Sequence, residues 1–238
     1  MIIGISQPTF LPWCGYMALI EKVDEFIFLD DVQFERRSWH QRNYIKVLNK
    51  KFLLSIPVLS KGKRLQKINE TKINYEKDFT DKIVLTLTQS YSKSPYFDRY
   101  SSDIFKILKN KYKLISELNI NLIKFFCKVL EIKTKFDYSS KLDLSSKGSD
   151  LIVDICKIKK CSKYISTIGS KSYLKKNNFD LNNIDLKFYE FEHKLYQQRG
   201  SMFLSNLSAL DILLNLGPSA KLYLKENFKI KNYYWENL

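Results

Sequence analysis

The chain has 238 residues, of which 45% are hydrophobic and 14% aromatic, and its net charge is +15. This is enough apolar material for a packed core, which excludes an intrinsically disordered protein. No run approaches the roughly 18 apolar residues of a transmembrane helix, and the start lacks the basic segment of a signal peptide. We therefore expect a cytoplasmic protein with no integral membrane segment.

The first thirty residues predict a strand, a loop, a helix and a second strand. Residues 2–6 form a mostly β-branched apolar run that ends before Pro8, as expected of a buried strand. Residues 15–23 carry apolar side chains at helical spacing, and residues 25–29 form another apolar run. Units of this kind are right-handed and place their two strands in parallel.

The rest of the chain continues the alternation around a helical middle. We expect short strands at residues 44–47 and 52–57, followed by three helices at residues 79–89, 96–110 and 115–130. Further strands are expected at 136–138, 164–167 and 186–189, and further helices at 149–158 and 207–216. This order predicts one α/β domain over residues 1–238, with a Rossmann-like parallel sheet and a helical insertion at about residues 77–132.

Ligands of open parallel sheets bind at the carboxyl ends of the strands. The loop after the first strand should therefore reach a binding site, and we predict that Gln7, Pro8, Trp13 and Tyr16 bind substrate. The helix after this loop offers free backbone N–H groups that can hold an anion. The alternative is a rigid loop whose aromatic side chains only pack.

The segment after the second strand is the densest in functional groups. Asp30 and Asp31 are adjacent carboxylates that can accept a proton from an amine, hold sugar hydroxyls or bind a metal. Two arginines can clamp a phosphate, and an indole can stack on a sugar. The predicted substrate-binding residues here are Gln33, Arg37, Trp39, Arg42 and Asn43. The alternative is an ion-paired surface loop.

His193 is the third catalytic candidate. It has polar neighbours and follows a predicted strand, and an unperturbed pKa near 6.5 suits acid–base chemistry. A structural role is equally compatible with this position. Two histidines and four cysteines without CxxC spacing do not predict a metal site.

The positive charge has two interpretations. Lysines are spread along the chain, as AT-rich coding would produce, with the densest runs at residues 46–67 and 157–163. Alternatively, they bind a phosphate-rich partner such as a nucleotide-sugar, an anionic lipid-linked sugar or a transfer RNA.

Several short blocks together resemble the WbqC-like family over nearly the whole chain. The blocks lie at residues 7–16, 29–34, 39–43, 56–58, 68–70, 94–97, 139–140, 164–169 and 207–211. Two positions depart from the family pattern: Ser6 replaces a frequent His or Met, and Cys14 replaces an aliphatic residue. Cys14 is therefore not a nucleophile common to the family.

The resemblance implies a role in bacterial surface-polysaccharide biosynthesis, because family members occur in O-antigen and related glycan gene clusters. It further implies an N-acyl transferase, glycyl or another aminoacyl, that acts on a nucleotide- or lipid-linked amino sugar. Asp30, Asp31 and His193 would take the proton of the amine, and Gln7 or Asn43 would stabilise the oxyanion. The donor can be an ATP-activated acyl group or an aminoacyl-tRNA.

The opening of the chain also resembles that of nucleotidylyltransferases. Those proteins have an H-x-G-H motif whose histidines contact ATP, whereas this chain has Trp13, Gly15 and Tyr16 at these positions. The likeness supports a Rossmann-like fold but does not by itself support ATP use.

The same residues are compatible with two functions of other classes. One is a non-catalytic module that binds a nucleotide-sugar or scaffolds a glycan assembly pathway, and the other is a metal-dependent hydrolase that uses Asp30 and Asp31. Clustering of Asp30, Arg37, Arg42 and His193 around one cleft would favour an enzyme, and their dispersal would favour the module.

Overall fold

The computed structural model describes residues 1–76 and 78–231. The expected start of the helical insertion at residue 77 and the expected domain end at residue 238 lie outside these residues. The strands are β1 (Ile2–Ser6), β2 (Glu25–Phe28), β3 (Arg42–Val47), β4 (Lys50–Ser55), β5 (Lys135–Tyr138), β6 (Lys163–Thr167), β7 (Asp185–Phe191) and β8 (Phe228–Lys231).

Six of the strands form a central sheet in the order β5-β2-β1-β6-β7-β8. Every neighbouring pair is parallel except β7 and β8, while β3 and β4 form a separate antiparallel hairpin. From β1 the chain builds the sheet outward through β2 and β5, and it then returns to the centre with β6. This order confirms the predicted α/β class with a mostly parallel, Rossmann-like sheet.

The helices lie on both faces of the sheet. They are α1 (Cys14–Lys22), α2 (Thr80–Tyr91), α3 (Phe97–Lys109), α4 (Ile115–Val129), α5 (Gly148–Ile158), α6 (Lys176–Asp180), α7 (Ala209–Leu216) and α8 (Ala220–Glu226). Helices α2 to α4 follow one another between β4 and β5, close to the three predicted segments. Their status as an insertion into a single domain stays a prediction. No helix in the described part of the chain is long and apolar enough to cross a membrane.

Three elements were missed by the sequence patterns: β8, α6 and α8. Strand β8 is an edge strand of four residues whose last three are exposed, so it lacks the alternation that marks a half-buried strand. Helix α7 ends at Leu216, directly before the Gly217-Pro218 pair, and this pair forms a 3-10 turn from which the short helix α8 begins. Helix α6 has five residues, which is too short for a periodic pattern.

Alternating side chains of the central strands fill two cores, one on each face. Phe26 and Phe28 of β2 pack with α1 in the larger core. Ile3, Ile5 and Ile27 point the other way and pack with α5. Because both faces are covered, β1 and β2 consist mostly of apolar residues.

A buried carboxylate, Asp211 of α7, joins separate parts of the larger core. Its Oδ2 accepts from the hydroxyl of Tyr91 at 2.9 Å and its Oδ1 from that of Tyr196 at 2.6 Å. Tyr91 in turn accepts from the backbone N–H of Lys46 at 3.1 Å, which ties the hairpin to α2 and α7. Burial raises the pKa of Asp211. Because a buried carboxylate without partners is costly, the network stabilises the protein only when its hydrogen bonds are complete.

We expect Tyr91→Phe to lower the free energy of unfolding by about 1–3 kcal/mol, since Asp211 and the Lys46 N–H would each lose a buried partner. Urea denaturation measures this change. Tyr100→Phe is the matched control, because the Tyr100 hydroxyl is buried with no hydrogen-bond partner among the described residues. Its removal should leave stability unchanged or slightly raised, and equal losses in the two variants would contradict the role of the Asp211 network.

Candidate ligand-binding site

A cavity of about 980 Å³ opens at the carboxyl ends of β1 and β6. Ile5 and Ser6 of β1 line it together with Gln7, which follows β1, and Ser166 and Thr167 line it from β6. These two strands are neighbours, and their crossover helices lie on opposite faces of the sheet. Such a switch point is where open α/β sheets bind their ligands.

The wall of the cavity combines aliphatic, aromatic and neutral polar side chains and is almost uncharged. Its aliphatic side chains are Ile5, Leu19, Leu29, Val32, Leu151 and Ile152. Its neutral polar side chains are Ser6, Gln7, Thr9, Ser38, His40, Asn43, Ser166, Thr167, Ser170 and Asn206. Its aromatic side chains are Trp13, Tyr16, Trp39, Tyr44, Tyr173 and Tyr189. The charged ones within the described residues are Glu35 and Lys51, both exposed. Neutral hydrogen-bonding groups with aromatic rings suit a ligand rich in hydroxyl and amide groups.

Gln7 is oriented by the buried imidazole of His40. The Nδ1 of His40 accepts from the backbone N–H of Glu35 at 3.4 Å, so the neutral ring carries its proton on Nε2. That N–H donates to the Oε1 of Gln7 at 2.9 Å. The carboxamide oxygen of Gln7 is thereby occupied, and its NH₂ group is the part left to donate to a ligand.

The loop between β1 and α1 is held by two buried amides. Asn43 donates to the carbonyl oxygens of Phe10 at 3.3 Å and Leu11 at 2.7 Å. Asn119 of α4 donates to the carbonyl oxygens of Pro8 at 3.1 Å and His40 at 2.7 Å. Asn43 lines the cavity, but its NH₂ group is used on the loop, so it acts mainly by positioning. Pro8 is buried in this loop and does not line the cavity.

Trp13 and Tyr16 form part of the wall at the start of α1. A Cβ atom on Gly15 would lie 2.2 Å from the Trp13 ring, so only glycine lets the indole pack against the first turn. Tyr16 donates its hydroxyl to the carbonyl oxygen of Gln7 at 3.1 Å. Trp39 lines another part of the wall and is 51% exposed.

Asp30 and Asp31 do not line the cavity. The carboxylate of Asp30 is buried and accepts from the backbone N–H of Ser140 at 3.1 Å and from its hydroxyl at 2.9 Å. Ser139 donates its hydroxyl to Asp31 and also accepts from the backbone N–H of Asp30 at 3.2 Å. These bonds join the ends of β2 and β5 and give Asp30 a structural role, whereas its predicted catalytic role stays a prediction.

His193 lies next to the cavity without lining it. Its ring centroid is 6.0 Å from that of Trp13, and its Nδ1 accepts from the backbone N–H of Asn206 at 3.5 Å. Its Nε2 is buried with no partner in residues 1–76 and 78–231. Burial lowers the pKa of His193, so the ring is neutral at pH 7 and carries its proton on the unpartnered Nε2.

The remaining predicted residues do not line the cavity. Gln33 donates through its side chain to the carbonyl oxygen of Arg64 at 2.9 Å. Arg37 is exposed, and Arg42 pairs with Ser55 in the hairpin. Thus Gln7, Trp13, Tyr16, Trp39 and Asn43 share the cavity wall. Asp30, Arg37, Arg42 and His193 do not come together on it.

The sequence patterns missed the contribution of the segment after β6. Ser166 accepts from the Tyr164 hydroxyl at 3.0 Å and shares a hydrogen bond of 2.7 Å with Ser170. These two serines, with Thr167 and Gly169, line the cavity. A Ser/Thr/Gly-rich stretch directly after a predicted strand was the available signal for this part of the site.

Fold and cavity together define a Rossmann-like α/β protein with a neutral ligand cavity at the switch point of its sheet. A sequence model of the WbqC-like protein family matches residues 7–223, and the chain belongs to this family. It is 31% identical over 225 residues to "Uncharacterized protein Rv1507c" of Mycobacterium tuberculosis (strain ATCC 25618 / H37Rv), covering 94% of this chain and 97% of that protein. No solved structure gives a significant match.

The buried His40 makes stability depend on pH. Burial lowers its pKa to about 4, whereas in the unfolded chain it is near 6.5, so only the unfolded chain takes up the proton between these values. The free energy of unfolding should therefore fall by about 3 kcal/mol as the pH drops from 6.5 to 4. His40→Gln should lack this contribution when urea denaturation is measured across that range. Parallel curves for the two proteins would show that His40 titrates normally.

The hydrogen bonds of Asp30 predict that Asp30→Asn lowers the free energy of unfolding by about 1–3 kcal/mol, because Ser140 loses a charged acceptor. Asp31→Asn is the matched control, since Asp31 is less buried and accepts from Ser139 alone in the described contacts. Its loss should be smaller in the same denaturation assay. Unchanged stability of Asp30→Asn would contradict the structural role.

Proposed function

We propose that the cavity binds the sugar of a nucleotide- or lipid-linked amino sugar, and that the protein transfers an acyl group, glycyl or another aminoacyl, onto its amine. The proposal assigns the protein to bacterial surface-polysaccharide biosynthesis in the cytoplasm. The observation that carries it is the neutral, aromatic wall at the switch point. Sugars offer hydroxyl groups to such side chains and apolar ring faces to Trp and Tyr.

The chemistry joins the amine nitrogen to an activated acyl carbonyl, with loss of one amine proton and of the leaving group. Gln7 supports the step, because its NH₂ group is free to donate to the carbonyl oxygen as negative charge develops. The unpartnered Nε2–H of His193 is a second donor, but it is buried and off the cavity wall, so the ring would have to move to reach a ligand. To accept the amine proton instead, its ring would have to release the Asn206 N–H from Nδ1.

The acyl donor is either an ATP-activated acyl group or an aminoacyl-tRNA. Lys51 is the cation on the described cavity wall, so the wall supports a neutral sugar there better than a triphosphate. Asp30, Asp31 and His193 stay the predicted catalytic residues, and of these His193 lies in contact with the wall through Trp13.

A non-catalytic binding module is the second candidate, and one observation favours it. Asp30, Arg37, Arg42 and His193 do not meet on one cleft, which is the arrangement expected of a module. A metal-dependent hydrolase has less support, since no group of three or more His, Cys, Asp or Glu in the described ranges is placed to hold a metal ion.

Mass spectrometry distinguishes these functions. A panel of nucleotide-linked and lipid-linked amino sugars is incubated with the protein and either glycine with ATP or glycyl-tRNA. We expect the mass of one sugar to rise by one glycyl residue in one of the two arms. Sugar binding without a mass gain in either arm would contradict the transferase and support the binding module.

Gln7→Ala should reduce turnover about tenfold to a hundredfold, because the reacting carbonyl loses a desolvated donor. Gln197→Ala is the matched control, since Gln197 is exposed and outside the cavity wall. Equal turnover of the two variants, each checked for wild-type unfolding behaviour, would remove Gln7 from the mechanism.

A further inference from the structure

The positive charge is concentrated in one stretch of the chain. Residues 36–69 contain ten lysines and arginines and no aspartate or glutamate, so they supply ten of the fifteen net charges. Four of the six arginines lie in this stretch. General lysine enrichment would spread charge evenly and does not explain this segregation.

Two exposed parts of this stretch are joined in the structure. The backbone N–H of Phe34 donates to the carbonyl oxygen of Gln66 at 2.9 Å, and the backbones of Gln33 and Lys67 form an isolated antiparallel β-bridge. These contacts hold the turn at residues 35–39 against the loop at residues 61–67. We name this joint surface the basic face.

The basic face is densely cationic and unneutralised. Its cations are Arg36, Arg37, Lys61, Lys63, Arg64 and Lys67, and all six side chains are exposed. Within the described residues none of the six forms a salt bridge. The face contains one acidic residue, Glu35, and at its edge the carboxylate of Glu70 accepts from the backbone N–H of Lys67 at 3.0 Å. Such a field attracts an extended anionic partner.

Apolar side chains project from the same surface. Leu65 is 80% exposed and Trp39 is 51% exposed. A leucine flanked by Lys63, Arg64 and Lys67 suits the boundary between headgroups and acyl chains, and tryptophan prefers that level as well. RNA would offer Leu65 no comparable apolar environment, so the combination favours a membrane.

The basic face borders the cavity. Glu35, Ser38 and Trp39 belong to the turn of this face and also line the cavity wall. A partner that docks here would therefore lie beside the edge of the cavity.

We propose that the basic face docks the protein onto an anionic membrane surface and brings the edge of the cavity to the lipid headgroups. Each lysine or arginine close to an anionic leaflet strengthens binding roughly fivefold. This geometry also selects the substrate: a cavity edge at the headgroups favours a lipid-linked amino sugar over a nucleotide-linked one. This choice of substrate rests on the proposed function.

Sedimentation with lipid vesicles tests the docking. We expect the protein to sediment with phosphatidylglycerol–phosphatidylcholine vesicles and not with phosphatidylcholine alone, and added salt should weaken the binding. The variant Arg36→Gln, Arg37→Gln, Lys63→Gln, Arg64→Gln should bind at least about 30-fold more weakly. Leu65→Ser, which leaves the charge unchanged, should also weaken binding.

The matched control is Lys106→Gln, Lys128→Gln, Lys160→Gln, Lys175→Gln, which removes the same charge from exposed lysines outside the basic face. It should retain most of the binding. Equal losses in the two fourfold variants would show attraction by net charge alone and overturn the proposal. The proposal would also be overturned if the protein bound transfer RNA more tightly than vesicles and the first fourfold variant lost this RNA binding.

Vesicle binding requires no turnover, so the docking and the proposed function can be contradicted independently of each other. Anionic vesicle binding without sugar modification would leave the docking intact and overturn the transferase. If the protein modifies nucleotide-linked sugars but does not bind anionic vesicles, only the docking proposal is overturned. Unfolding curves confirm that each variant is folded.

Discussion

Strands β1 and β6 lie side by side at the centre of the sheet, but the chain leaves them toward opposite faces. Parallel strands bring their carboxyl ends to one edge, and divergent crossovers leave a gap between the two connections. The cavity occupies this gap. The loop after β1, the serine-rich turn after β6 and the first turn of α1 reach it only because of this reversal.

A gap of this kind binds selectively only if its walls are held in place. Buried amides do this here, since Asn43 and Asn119 donate to carbonyl groups of the loop that follows β1. His40 fixes the orientation of Gln7 in the same way. Each partner satisfies a backbone or side-chain group that would otherwise be buried and unpaired. The loop is therefore pre-organised before any ligand arrives.

Charge is divided between the surface and the interior of the molecule. The buried carboxylates of Asp30 and Asp211 are surrounded by hydroxyl and N–H donors and serve the architecture. Most of the net positive charge lies in residues 36–69, much of it on the basic face. The cavity wall is left almost neutral, so it offers a partner different chemistry from the basic face.

The sequence by itself determined the α/β class, nearly all strands and helices of the sheet, and five residues of the cavity wall. Apolar periodicity and the rule for strand ends are local properties, so Gln7, Trp13, Tyr16, Trp39 and Asn43 could be predicted from them. Tertiary structure decided which polar side chain at a strand end turns into the cavity and which turns into the protein. Asp30 turns toward Ser140, 110 positions along the chain, and Asn119 reaches the loop from α4. Those choices depend on hydrogen-bond partners distant in sequence, which no local pattern records.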